Sequence, residues 1–355
     1  EISACLVGSE MCIRDRSITA KELAEKLGIS ASAVSIALNG KKGISDEKRD
    51  FILRAAKEYG LKRPLRKSFS STFINLVIFK KHGMVYGDTP FFAAVTEGIS
   101  AEVANSGYNL QISYFYGNQD NAEQLKSLSM SDCAGIILLA TEMEPEDIQQ
   151  FLTIGKPIVV LDCYFEGTLL DCVVINNSQG AYLATKHLIE FGHTDLGYIH
   201  SNVHINNFVE RYNGFTKAIA DFDITNRCSV THIHVGPTQD SAYNDMTRYL
   251  RSADRIPSAL FADNDIIAIS CMRALKEHGY RIPEDVSIVG FDDMPMSYVT
   301  SPKLTTIHVP KELLGGSAVS LLLKQIASSD SQPATICMRI GTMLVLRDTV
   351  YDLRK

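Results

Sequence analysis

Near-continuous apolar runs recur through most of this chain, and they restrict its fold more than any other feature. FINLVIF at 73–79, AGIILLA at 134–140 and KPIVVLD at 156–162 carry almost no polar residue on either alternating face. A strand with one wet face would alternate, whereas a run that is apolar on both faces suits a parallel sheet covered by helices on each side. The runs are separated by helical segments such as GISAEVANSGY (98–108) and EPEDIQQFLTI (144–154), with NLQISYF (109–115) as a further strand. The cycle then restarts: strand CVVINN, helix 178–191, strand DLGYIH, helix 209–222, strand CSVTHIHV, helix 242–251, SALFADN, helix 266–278 and VSIVGFDD. Two such cycles exceed one small core and predict two α/β lobes, about 72–171 plus 300–355 and about 172–299. A ligand cleft is then expected at the carboxyl ends of the strands.

Residues 17–59 have a different grammar, that of a small all-α head. Thr19 can cap a helix opened by Ala20, with Glu22 completing a capping box, and Leu23, Ala24 and Leu27 fall at helical spacing before Gly28 stops it. Ser30 caps a second helix, Ala31 to Leu38, so that only Gly28, Ile29 and Ser30 separate the two, the tight joint of a helix-turn-helix. A third helix follows Ser45. The expected core is Leu23, Val34, Leu38, Phe51 and Ile52.

Charge points the same way. Ser17 to Lys67 hold twelve Lys or Arg against six Asp or Glu, although the whole chain carries a net charge of −6. A basic module on an acidic body is a localised phosphate-binding footprint, with affinity that falls with salt. The second helix is expected in the major groove, presenting Ala31, Ser32 and Ser35, with Thr19, Ser30 and Asn39 at helix ends and Lys41 and Lys42 on phosphate. Ile36 presses either on a thymine methyl or on a neighbouring helix. In the linker 60–71, Arg63, Arg66 and Lys67 can meet phosphate and Leu65 or Phe69 can wedge into a minor groove; the alternative is a flexible basic tether.

Residues 1–16 have no period and read as an artefactual leader. The chain shows no signal peptide pattern, and a cytoplasmic location is expected. Eight Cys contain no C-x-x-C pair, and neither His200/His204 nor His232/His234 brings a third ligand. No metal, no cofactor and no catalytic residue is expected: G-x-G-x-x-G after the first body strand and G-x-S-x-G are both missing.

The head resembles that of the LacI/GalR family of bacterial transcription regulators, on Glu22, Ala24, Gly28, Ile29, Ser30, Ala33, Val34, Ser35, Leu38 and Asn39. Two positions depart from the family pattern: Ala33 replaces a usual Thr and Ile36 a usual Arg, which leaves the operator open to differ from the common one. The resemblance continues over 72–349 at Asp88, Pro90, Phe91, Phe92, Gly98, His187-Leu188, Gly192-His193, Arg211, Gly214-Phe215, Asn264-Asp265, the run PEDVSIVGFDD and Leu346-Arg347. It implies a periplasmic-binding-protein-like body, a hinge helix over 60–71, a homodimer on palindromic operator DNA, and repression relieved by a sugar.

By that resemblance Arg211 and Asp265 hold the effector, and their chemistry suits it: a forked donor for two hydroxyls and an acceptor of two donors. Asn264 adjoins them. Asn176 stands where Asp is common and either meets ligand or caps a helix; Phe91 and Phe92 either stack on a sugar or fill the core. Tyr116 and Tyr164 are weaker candidates at strand ends, and Asp292 and Asp293 read as turn residues. The competing class is a non-regulatory carbohydrate-binding protein of the periplasmic type, exported to the cell envelope, which would need a signal or anchor and would not need the basic head.

Overall fold

A computed structural model describes residues 20–38, 43–59, 72–87, 90–222, 227–328 and 334–355. They fall into two compact units, separated between residues 70 and 71. The head holds α1 (Ala20–Lys26), α2 (Ala31–Leu38) and α3 (Asp46–Glu58). Gly28, at φ +64°, ends α1: its N–H reaches Glu25 O (3.3 Å) and the N–H of Ile29 reaches Ala24 O (3.1 Å), the paired bonds of a left-handed C-terminal cap. Ser30 Oγ then accepts the Ala33 N–H (3.2 Å), and Ser45 Oγ that of Lys48 (3.4 Å), so both later helices are capped from within the sequence.

Leu23, Val34 and Ile52 are fully buried and are joined by Ala24, Ala37, Ala55 and Ala56. Phe51, expected in this core, is 52% exposed. The inward face of α3 is the 52/55/56 set, and one residue earlier lies about 100° around the helix. Thr19, the Leu38 side chain, Asn39, Lys41, Lys42, the leader and the linker with Arg63, Leu65 and Arg66 lie outside the described residues.

The body runs β1 (Phe73–Lys80), α4 (Pro90–Ser106), β2 (Asn109–Tyr116), α5 (Ala122–Met130), β3 (Cys133–Leu139), α6 (Gln149–Leu152), β4 (Ile158–Leu161), β5 (Asp171–Ile175), α7 (Asn177–Glu190), β6 (Asp195–Ser201) and α8 (Asn206–Phe222). It continues with β7 (Ser229–Val235), α9 (Gln239–Ser252), β8 (Ala259–Ala262), α10 (Asp265–Glu277), β9 (Ser287–Val289), α11 (Pro295–Val299), β10 (Thr306–His308), α12 (Lys311–Ala327), β11 (Cys337–Ile340) and β12 (Met343–Val345). One parallel sheet has the order β11-β5-β4-β3-β1-β2, a second β7-β6-β8-β9, and β10 pairs antiparallel with β12. The runs apolar on both faces are the buried inner strands, β1, β3 and β4. On the first lobe α4 crosses α12 at reciprocal glycines: a Cβ on Gly98 would stand 2.1 Å from Glu312 O, and one on Gly315 2.2 Å from Val95 O.

The lobe boundary differs from the sequence expectation. The strand at 171–175, expected to open the second lobe, pairs with β4 and β11 in the first sheet, and the chain changes lobe through α7. The tail after β12 also does not return to the first lobe. Ile288 N–H donates to Thr349 O (2.9 Å) and Leu353 N–H to Phe191 O (2.9 Å), tying residues 349–353 to the second lobe. The chain therefore crosses three times, through α7, after β10 and through β12.

Candidate functional site

Both sheets point the carboxyl ends of their strands at one cavity of about 440 Å³. The first lobe contributes Gly83 to Val85 after β1, Thr141 after β3, Asp162 after β4, Ile175 at the end of β5, and Phe91 and Phe92 from the start of α4. The second supplies Ile205, Asn207, Phe208 and Arg211 after β6, Pro237 to Asp240 after β7, Asn264 and Ile266 after β8, and Asp292 after β9. The mixture is an apolar wall carrying a few convergent polar groups, the usual make-up of a small-molecule site.

Arg211, 3% exposed, is the fixed point of the second wall. Its Nε donates to Asn177 Oδ1 (2.8 Å), Nη1 to Asp263 O (2.5 Å) and Nη2 to Asp292 Oδ1 (3.1 Å), while the guanidinium lies 3.8 Å from the Phe291 ring centre. Such a planar fork, held on three sides, is already oriented before any ligand arrives. Asp292 has φ 105°, and its carbonyl accepts from Lys311 Nζ (2.5 Å). Burial raises its carboxyl above the ordinary range against the opposing pull of Arg211 and Lys311.

Asp162 faces them from the first lobe. It is 2% exposed and sits at φ 67°, a left-handed conformation that only a few non-glycine residues accept readily. Thr141 Oγ1 donates to its Oδ2 (2.6 Å), and its Oδ1 has no hydrogen-bond partner among the described residues. Burial pushes this carboxyl up to about 6, opposed by Thr141, by the charge of Arg211 and by the Asn207 side chain, which lies near without meeting Oδ1 in hydrogen-bond geometry. A buried acceptor with one open oxygen beside a cavity has the chemistry to accept from a ligand donor.

The structure brings Phe91, Phe92, Arg211 and Asn264 of the sequence candidates to this cavity. Phe91 and Phe92 are both 5% exposed with rings 5.2 Å apart, so they pack the core and edge the cavity at once. Asn264 also caps α10, accepting from Ile267 N (2.9 Å). The other four are placed elsewhere. Asp265 is fully buried, and its carboxylate accepts from Met294 N (2.7 Å), Ser297 Oγ (2.5 Å) and Thr306 Oγ1 (2.6 Å), so it braces the second lobe while Asp292 takes the cavity position. Asn176 caps α7 through Gln179 N (3.4 Å), and the neighbouring Asn177 is the residue that meets Arg211. Tyr116 is exposed at the end of β2, and Tyr164 borders a separate small cavity beneath Arg339.

Sequence reasoning missed Asp162, Thr141, Asn207, Phe208 and Asp292. Asp162, Thr141 and Asp292 lie one to three residues past the ends of β4, β3 and β9, where the cleft itself was expected, so position was the available signal. In the head, Ala31, Ser32 and Ser35 are exposed on α2, while Ile36 is half-buried and lies near Gly43 in the segment before α3.

Residues 185–350 match the family described as periplasmic binding protein-like domain. Over 344 residues the chain is 30% identical to the HTH-type transcriptional repressor PurR of Mannheimia succiniciproducens, spanning 94% of this chain and 99% of that one. The chain belongs to the LacI/GalR family of transcriptional regulators. The ribose operon repressor of Haemophilus influenzae is likewise 30% identical, over 95% of this chain and 99% of its own. Among solved structures, a LacI family regulator from Enterococcus faecium with bound ribose has a TM-score of 0.65 and 26% identity, over 79% of this chain and 99% of its own. The CelR-cellobiose complex shares the fold at TM-score 0.69 and 23% identity, covering 94% of this chain and 99% of its own. This LacI/GalR regulator thus pairs a DNA-binding head with a two-lobed α/β body. No helix among the described residues is long and apolar enough to cross a membrane.

Proposed function

We propose that this regulator is a homodimeric repressor whose operator affinity is set by an uncharged, polyhydroxylated effector, a sugar, held in the cavity between the two lobes. The observation that carries the reading is the opposed pair of walls: Asp162 with an open oxygen on the first lobe, and the Arg211–Asp292 pair on the second. Hydroxyls both donate and accept, so one sugar can satisfy the carboxylates and the guanidinium together. Phe91, Phe92 and Phe208 offer apolar faces to its ring. An anionic effector meets a wall with Asp162, Asp240 and Asp292 against a single, already paired guanidinium. The relatives solved with ribose and cellobiose support the same ligand class.

A ligand that touches both walls binds one arrangement of the lobes more tightly than the other, and it can shift DNA affinity only by that difference. Two copies would place two heads on a palindromic site, with Ser32 and Ser35 of α2 reading base edges and the 60–71 linkers, through Arg63, Leu65 and Arg66, adding backbone and minor-groove contacts. The test is a thermal-shift screen of the full chain against neutral sugars, phosphorylated sugars and nucleosides. Stabilisation by a neutral sugar, and its loss in Arg211→Ala, is the expected result. Stabilisation by phosphorylated sugars alone would refute the ligand class.

A further inference from the structure

Away from the cavity, two thiols meet on the edge of the first sheet. Cys337 and Cys172 are directly paired residues of β11 and β5, and Cys172 N–H donates to Ile336 O (2.9 Å). Neighbouring parallel strands run about 4.8 Å apart, inside the Cα separation of roughly 4.4–6.8 Å that a disulfide spans. The two side chains share a face of the sheet, and the neighbouring Cys337 thiol adds to burial in raising that of Cys172. Their surroundings differ. Cys337 is exposed, and Arg339 lies two residues along on the same face of β11. Cys172 is buried beneath it, and both border a cavity of about 160 Å³ with Tyr164 and Phe165. An accessible thiol beside a guanidinium, backed by a second thiol, is the arrangement in which cysteines oxidise reversibly.

We propose that Cys337 and Cys172 are a peroxide-oxidisable dithiol that closes to a disulfide between β11 and β5. The Cys337 thiolate attacks a peroxide oxygen: the S–O bond forms, the O–O bond breaks, and hydroxide leaves to be protonated as water. Cys172 then attacks the resulting sulfenic sulfur, forming the S–S bond and expelling a second water with the thiol proton. Two thiols lose two electrons and hydrogen peroxide gains them. Cys337 is exposed and Cys172 is buried, so peroxide meets Cys337 first and Cys172 is left to close the bond. The cross-link pins the edge strand that carries Arg339, whose guanidinium also reaches Glu210 of α8 in the second lobe (3.7 Å). Cys133, Cys163 and Cys271 are buried and their thiols are raised by that burial, so they make internal standards.

The full chain is treated with stoichiometric hydrogen peroxide, quenched with N-ethylmaleimide, and read by intact mass and peptide mapping. The expected product has lost two hydrogens and links the peptides holding residues 172 and 337, with Cys337 consumed about tenfold or more faster than Cys271. Cys337→Ser, a change at an exposed site, abolishes the linked product; Cys172→Ser leaves a Cys337 sulfenic acid that dimedone captures. Arg339→Gln slows Cys337 consumption several-fold with an unchanged circular dichroism spectrum. Absence of the 172–337 link in the wild-type chain, or a link running through Cys163 instead, overturns the proposal.

Discussion

Replacing Asp162 by Asn separates what this residue costs the empty protein from what it gives the ligand. In the unfolded chain its carboxyl ionises near 3.8, and in the folded protein burial pushes it up to about 6. The unfolded state therefore ionises first. Stability from this group is whole below 3.8, falls as pH rises through the interval and levels off above about 6, a loss of about 3 kcal/mol for the ionised carboxylate at neutral pH. Asn carries no charge, and its carbonyl can still accept the Thr141 hydroxyl, while its new amide hydrogens cost about 1–2 kcal/mol if unpaired. That cost is the same at every pH, so the difference between variant and wild type isolates the charge. Asp162→Asn should gain about 2 kcal/mol on wild type between pH 4.5 and pH 7.5, as measured by urea unfolding at both values. The same change removes a charge-assisted bond to the effector, worth about 1.5–3 kcal/mol, or about ten- to a hundredfold in Kd by calorimetry. A stability difference that does not move with pH, together with unchanged effector affinity, would refute the reasoning.

Gly98→Ala should destabilise the body by about 3 kcal/mol or more in urea unfolding, because its Cβ would meet Glu312 O at 2.1 Å and backbone must move; an unchanged midpoint would contradict the close α4–α12 crossing. Ser30→Ala removes the cap that accepts the Ala33 N–H and should cost the head about 1 kcal/mol. Operator binding should weaken in that variant while effector affinity measured by calorimetry stays at the wild-type value. Asp265→Ala strips the acceptor from Met294 N, Ser297 and Thr306 and should destabilise the body by about 3 kcal/mol or more. A stable Asp265→Ala protein with selectively lost effector binding would restore it to the ligand site.

The sheets were legible because burial on both faces leaves a compositional mark that one-sided strands lack, and FINLVIF, AGIILLA and KPIVVLD are all inner strands. The lobe boundary was not. CVVI in β5 is as apolar as the strands of either lobe, and only its pairing with β4 and β11, a contact across more than 150 residues of sequence in the second case, assigns it. Arg211 was legible through the family resemblance and a chemistry that suits it, whereas Asp265 and Asp292 are both acids beside strand ends, and which one faces the cavity depends on the turn at φ 105°. Asp162 was hidden for a similar reason: its conspicuous property is an unmatched oxygen, visible only once Thr141 is seen to occupy the other. In the head, the caps at Ser30 and Ser45 announced the helices and Ile52 lies in the core as expected, but Phe51, large and apolar, faces out while Ala55 and Ala56 seal the core.

The central claim is that occupancy of the inter-lobe cavity changes the grip of the head on DNA. Operator affinity of the full chain, followed by fluorescence anisotropy at fixed salt while the stabilising sugar is titrated, measures it directly, with Arg211→Ala in parallel. The expected result is a shift in operator Kd of about 5–150-fold at saturating sugar in the wild-type chain and none in the variant. A sugar that binds the wild-type chain by calorimetry yet leaves its operator Kd unchanged would contradict the account.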